Sequence, residues 1–263
     1  MRSFIRLLLA LVTLASAAPA RAQLAVMSNL VEERTANAGD RYTGRITVMN
    51  TTNQPQMARI YQTDYRFGAD GTSHTDDPGS TSRSNASWIH PQMTRLSLAP
   101  GAQVSVPYSV DVPAGDSLRG TYWSMIMIEG AGVAAVPSSA GVGIGSVMRY
   151  AVQVATHIGS TGTRAVQFTN VNAAQNADGT GAVTLDVVNT GERGYRPTLW
   201  IEVYDSAGVL RAKGKQVRGL LYPGTALRQH YDLGTLPHGN YKALIFADTG
   251  TEPVFASQIT LVF

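Results

Sequence analysis

Cysteine is absent from the 263 residues. That excludes a disulfide framework, a thiolate nucleophile and Cys-ligated zinc. Charge is scarce: only 15% of residues are charged, and no block of Lys or Arg occurs. A polybasic nucleic-acid surface is therefore not expected. Beyond the N-terminus, no apolar run approaches the ~20 residues that a membrane-spanning helix needs. No stretch there carries a convincing 3.6-residue period, so amphipathic helices are not expected either.

The N-terminus is patterned for export. Arg2 and Arg6 precede the apolar run Leu7-Leu8-Leu9-Ala10-Leu11-Val12, and Ala20-Arg21-Ala22 supplies a small-x-small cleavage site. This is the layout of a secretory signal peptide over residues 1–22, with a mature chain expected from Gln23 and no membrane anchor left in it. The tag also explains the charge. The formal net charge is +3, and Arg2, Arg6 and Arg21 account for all of it, because no acid lies before Glu32. The mature chain carries 18 basic and 18 acidic residues, so charge gives no case for an anionic partner. The expected location after cleavage is periplasmic, or secreted to the cell surface or beyond.

Within the mature chain the period is two. Val104, Val106, Tyr108 and Val110 alternate with polar residues, as do Ile46 and Val48, the segment 182–187 and the segment 199–204. Such alternation marks half-buried strands. Turn signals separate them at Pro100-Gly101, Pro113-Ala114-Gly115, Asp178-Gly179, Pro223-Gly224 and Pro237-His238-Gly239. The strands group as 24–31, 42–50, 56–64, 94–98, 103–111, 120–129 and 142–155, then 163–170, 181–189, 197–205, 209–213, 216–221, 226–232, 240–247 and 255–262. Two sets of about seven strands, at ~100 residues per sandwich, predict an all-β chain of two β-sandwiches. The expected domains are 23–158 and 159–263, joined at the small, uncharged Gly159-Ser160-Thr161-Gly162. An internal echo fits two copies of one topology. Val48-Met49-Asn50-Thr51 matches Val187-Val188-Asn189-Thr190, and Leu98-Ala99-Pro100-Gly101 matches Leu221-Tyr222-Pro223-Gly224.

Catalytic signatures do not emerge. Gly130-Ala131-Gly132-Val133-Ala134-Ala135 fits G-x-G-x-x-A formally, but Pro137 and further small residues follow where a helix is required, and no acid lies about 20 residues on. The five histidines are scattered without metal-ligand spacing. No G-x-S-x-G elbow is present. An enzyme, a metal and a cofactor are accordingly not expected. Two loops differ in kind. Residues 68–87 are polar and read as a mobile surface excursion, whereas 130–145 are uncharged, apolar and glycine-rich. From Val142 to Val154, even positions are mostly large and apolar and odd positions are small or polar. The run either breaks at Gly145 into loop and strand, or overshoots its sandwich. An overshooting apolar strand is an edge with which another chain can pair.

Three stretches resemble periplasmic pilus-assembly chaperones: Trp88-Ile89-His90-Pro91 through Leu98-Ala99-Pro100-Gly101, then 113–123 leading into Trp123, and the glycine-rich loop with its alternating strand at 130–155. Together they cover most of the first sandwich. The resemblance implies that both sandwiches are immunoglobulin-like, and it implies a periplasmic chaperone that caps a secreted, pilin-like subunit by β-strand addition, with an outer-membrane usher as a further partner. It implies Val142, Ile144 and Met148 as the client-binding donor residues and Arg149 as a carboxylate anchor. The anchor expected on the first strand departs from pattern: Glu32 and Glu33 stand there, and Arg34 is the nearest base. The alternative reading is a non-catalytic cell-surface module that binds cell wall or matrix.

Overall fold

The computed structural model describes residues 23–131, 147–251 and 253–263. Alternation in the sequence becomes alternation in burial. Val106, Tyr108 and Val110 are sealed on one face of their strand, and Leu199, Ile201 and Val203 on one face of theirs. Seventeen strands and one short 3₁₀ turn (Ala86–Trp88) result; among the described residues there is no α-helix, and no helix long and apolar enough to cross a membrane. In the N-terminal half the strands are β1 (Leu24–Val26), β2 (Val31–Ala36), β3 (Arg41–Asn50), β4 (Gln56–Phe67), β5 (Ser73–Asp76), β6 (Ile89–Pro91), β7 (Arg95–Leu98), β8 (Gln103–Asp111), β9 (Gly120–Gly130) and β10 (Arg149–Ile158). In the C-terminal half they are β11 (Val166–Gln175), β12 (Thr180–Asn189), β13 (Thr198–Tyr204), β14 (Leu210–Val217), β15 (Ala226–Thr235), β16 (Asn240–Asp248) and β17 (Phe255–Val262).

Each half is a sandwich of two sheets. The first pairs a β1-β3-β8-β6 sheet with a β2-β10-β9-β4-β5 sheet, onto which β7 adds beside β4. Their shared core includes Ile46, Val48, Ile60, Val106, Val110, Ile126, Ile128 and Val152. The second pairs β11-β12-β15 with β14-β13-β16-β17 around Val183, Leu185, Val187, Ile201 and Ile245. The expected first strand, 24–31, divides: β1 joins one sheet and β2 crosses to the other, where it runs parallel to β10. Expected strands at 209–213 and 216–221 are instead the single strand β14.

The sequence echo has a structural cause. Asn50 and Asn189 are fully buried at the ends of β3 and β12. The Asn50 amide donates to the Leu98 and Ala99 carbonyls at 3.2 and 3.0 Å, and the Asn189 amide to the Leu221 carbonyl at 3.0 Å. Each Asn Oδ1 accepts a backbone N–H two residues on, from Thr52 and Gly191. The paired motifs are thus one device used twice: a buried amide that ties a strand end to the Leu-x-Pro-Gly turn and satisfies carbonyls otherwise stranded in the core.

The polar stretch 68–87 differs from its expectation as a mobile excursion. Its β5 pairs with β4, and its second part folds onto Asp64, a buried carboxylate of β4. Asp64 accepts hydrogen bonds from the Gly79 and Thr81 amides and from the Ser80, Thr81 and Ser84 hydroxyls. Beyond it, the buried Asn85 side chain donates to the Val154 carbonyl of β10. The residues that make the stretch look solvated are the donors that one carboxylate collects.

Candidate functional site: the open edge of β10 and the cleft beside it

β10 has two edges with different fates. One is paired with β9 from Arg149 to Ile158. The other is paired with β2 only from Gln153 to Ile158. Among the described residues, Arg149 to Val152 have no strand on that second edge. Their inward side chains are held: Val152 is buried, and the Tyr150 hydroxyl donates to the Leu24 carbonyl of β1 at 2.7 Å. The open stretch is therefore anchored beneath, with its backbone N–H and C=O groups presented sideways, which is the geometry that accepts an added strand.

The residues expected at this site divide among three places. Val142 and Ile144 lie outside the described residues. Met148 sits directly before β10, 39% exposed, and its carbonyl accepts the Gly130 N–H at 3.0 Å. Arg149 begins β10 but already has a partner: its Nε lies 2.6 Å from Glu129 Oε2. Arg59 reaches the other Glu129 oxygen at 3.1 Å, and the Tyr61 hydroxyl donates to Oε2 at 2.8 Å. The Tyr61 hydrogen bond, with Arg149 and Arg59 adding to it, holds the Glu129 carboxyl below the usual range. Arg34 stands beside Thr156 on β2, exposed, on the side wall of the first sandwich with Glu32 and Arg45. Seven strand positions separate Thr156 from Arg149, or roughly 23 Å. The two candidate anchors are thus not brought together.

A different basic group lies nearer the end of the open edge. Where β2 starts to cover β10, Val31 and Gln153 form one wall of a cleft of about 770 Å³ between the sandwiches, and Arg196, Arg218 and Arg228 come from the other side. Arg228 is engaged by Asp186 at 2.7 and 3.0 Å. Arg196 is engaged by Glu33 of β2 at 3.0 Å. Among the described residues, the Arg218 side chain donates only to Gln216, at 3.3 Å, and its Nε is buried without a hydrogen-bond partner. A buried, unpaired guanidinium N–H is costly unless something meets it. Arg196 and Arg218 escape a reading confined to the first sandwich. The signal that could have found Arg196 is the clustering of charge in Glu192-Arg193-Gly194-Tyr195-Arg196, in a chain where charge is sparse; no local pattern marks Arg218.

The cleft is held by the junction below it. Trp123 of β9 stacks on Tyr222 with ring centroids 4.5 Å apart and planes at 8°. The Tyr222 hydroxyl donates to Gln153 Oε1 at 2.8 Å. The Gly194 N–H donates to Thr121 Oγ1 at 2.8 Å, and Thr121 Oγ1 lies 2.7 Å from His157 Nδ1. His157 Nε2 faces Glu33 at 3.4 Å. The His157 hydrogen bond keeps the Glu33 carboxyl below its ordinary value against the opposing effect of burial, with Arg196 contributing. Gly120 is required here. Its φ is +77°, and an added Cβ would overlap the Glu192 carbonyl.

No family model matches the chain, and no curated protein matches it. Solved structures do. One is a chaperone–tip adhesin complex of CFA/I fimbriae biogenesis, at 14% identity and a TM-score of 0.49, covering 90% of this chain and 98% of that one. A second is the class 5 fimbriae chaperone CfaA, at 11% identity, a TM-score of 0.47 and coverage of 89% and 98%. A third is the CsuC–CsuE pre-assembly complex of the archaic chaperone-usher Csu pili of Acinetobacter baumannii, at 14% identity, a TM-score of 0.46 and coverage of 91% and 98%. Each of the three contains a fimbrial or pilus chaperone. Among the described residues, no group of three His, Asp or Glu side chains is placed to hold a metal ion.

Proposed function

We propose that this chain is an exported, non-catalytic chaperone that binds a secreted, pilin-like subunit by strand addition along β10. The observation that carries the reading is the uncovered edge of Arg149–Val152, anchored from beneath and ending beside a basic cleft. In this reading 1–22 is the export signal, 23–158 and 159–263 are the two domains, the protein works in the periplasm, and an outer-membrane usher receives the loaded complex. Val142, Ile144 and Met148 supply the apolar side chains that enter the client's groove. A client strand lying on the open edge would run out at Gln153, where Arg218, with Arg196 beside it, meets a terminal carboxylate more readily than Arg149, which Glu129 occupies. The test is co-purification. Val142→Asp with Ile144→Asp should abolish recovery of a secreted partner while thermal stability is retained. Arg218→Ala should weaken recovery and leave it measurable. Unchanged recovery in the double variant would refute strand addition at this segment.

A further inference from the structure

We propose that the outer face of the β14-β13-β16-β17 sheet is a saccharide-binding site, independent of the β10 edge. Trp200 of β13 and Phe246 of β16 are cross-strand neighbours on that face, stacked at 4.8 Å with planes 12° apart. Both are half-buried, and neither belongs to the core behind the sheet, which is built from the alternate residues Leu199, Ile201, Ala243 and Ile245. A concavity of about 530 Å³ opens over Trp200, ringed by Thr198, Glu202, Lys213, Lys215 and Asp248. The chain has three lysines in all, Lys213, Lys215 and Lys242. They sit on β14 and β16 in register with Glu202, Trp200 and Tyr204 of β13, and so on the same outer face. No lysine takes part in an ion pair among the described residues, where the arginines carry nearly all of the pairing.

The chemistry of this ring narrows the ligand. An apolar ligand would strand two ammonium groups, two carboxylates and a hydroxyl. An anion would meet Glu202 and Asp248 as well as the lysines, and an anionic lipid surface would meet the same carboxylates. Among the described residues, Glu202 accepts only the Tyr204 hydroxyl, at 2.7 Å, and Asp248 only the Gly250 N–H, also at 2.7 Å. Each therefore keeps acceptor capacity. A sugar ring uses all of these groups at once. Its hydroxyls donate to the carboxylates and accept from the ammonium groups, and its flat C–H face packs on an aromatic ring. Apolar walls with a few placed polar groups are the common composition of small-ligand sites. Lysines on an edge strand also discourage aggregation. That role explains Lys213 and Lys215 on β14, but neither the aromatic pair nor Lys242 on the interior strand β16.

Calorimetric titration of the exported chain with chitotetraose, cellotetraose and maltotetraose, each to about 10 mM, tests the proposal. At least one should bind saturably. Trp200→Ala should weaken that binding at least tenfold, and Lys215→Gln with Glu202→Gln should weaken it severalfold without touching the aromatic pair. The indole also reports directly. Trp88 and Trp123 are only 7% and 4% exposed, so a ligand-induced change in tryptophan emission comes from Trp200. The Val142→Asp, Ile144→Asp variant should bind the sugar as the unaltered chain does, which separates this site from the proposed client site. Failure of all three oligosaccharides to bind the unaltered chain overturns the proposal. So does binding that survives Trp200→Ala, or binding confined to anionic phospholipid vesicles.

Discussion

Replacing Thr121 with Val tests whether the two sandwiches are locked by a hydrogen-bonded relay or merely by apolar contact. Thr121 is fully buried, and the change conserves shape while deleting one hydroxyl. That hydroxyl accepts the Gly194 N–H at 2.8 Å and lies 2.7 Å from His157 Nδ1, while His157 Nε2 faces Glu33 at 3.4 Å. Val leaves a buried backbone N–H and a buried ring nitrogen without partners. At about 1–3 kcal/mol for each orphaned group, and with the two losses overlapping, the expected cost is about 2–4 kcal/mol. For a chain of this size that corresponds to roughly 2–4 °C of melting temperature per kcal/mol. Urea unfolding followed by total tryptophan emission is the suitable assay, because Trp123, one of the three tryptophans, stacks on Tyr222 across the junction. Thr121→Ser keeps the hydroxyl and should cost about 1 kcal/mol, as expected for one buried methyl group. If Val lies within ~0.5 kcal/mol of the unaltered chain, surface-like behaviour, the relay is not what locks the junction.

Two further outcomes follow from the carboxylates. Asp64→Asn replaces one oxygen, which accepts two or three of the five hydrogen bonds, with an amide that faces a backbone N–H donor on either side, and should cost about 2–4 kcal/mol, visible as a lower melting temperature and faster protease cleavage between residues 77 and 83. Stability should also fall on acidification. Glu33 is held low by His157 and Arg196, and Asp186 by Arg228 and Asn170. Burial pushes Asp64 up, but the hydrogen bonds from Ser84, Thr81 and Gly79 together outweigh it and hold that carboxyl low as well. A depressed carboxyl contributes fully above its unfolded value of about 4 and loses that contribution as pH drops through the folded value. The urea midpoint should therefore be lower at pH 3 than at pH 5, and an unchanged midpoint would contradict the network.

What the sequence discloses follows from what period-two patterning can encode. Val104 to Val110 and Leu199 to Val203 declare their buried faces because one side chain in two must be apolar to seal a sandwich. Short edge elements carry no such demand, and β5 and β6, at four and three residues, leave no periodic mark. Polar clustering is ambiguous at 68–87, since a solvated loop and a loop wrapped around one buried carboxylate use the same Ser, Thr and Gly residues. The repeated Asn and Leu-x-Pro-Gly motifs are visible as an echo, but the hydrogen bond joining them spans 48 residues in one half and 32 in the other. At the site, Arg149 is legible and its engagement by Glu129 is not, because cross-strand register decides that pairing. Arg218 comes from the other sandwich, and no local pattern announces it.

β10 links the open edge to the junction between the sandwiches. From Gln153 to Ile158 it is covered twice: β2 takes its edge, while Gln153, Ala155 and His157 on its outer face meet Tyr222, Leu220 and the Thr121–Gly194 relay. From Arg149 to Val152 no strand among the described residues takes that edge. A strand cannot shift register in one half alone without every side chain changing face. The junction therefore fixes the height and tilt of the open edge as well as the angle between the sandwiches. Gly120 and Gly162 sharpen this coupling, because an added Cβ on Gly162 would strike the Gly120 backbone and leave no slack between the halves. An edge held this firmly would lose little entropy on pairing with the proposed guest strand, whereas an edge on a loose hinge would have to be ordered each time. On this argument the second sandwich serves the open edge as a brace and supplies Arg218 and Arg196 to the cleft where that edge ends.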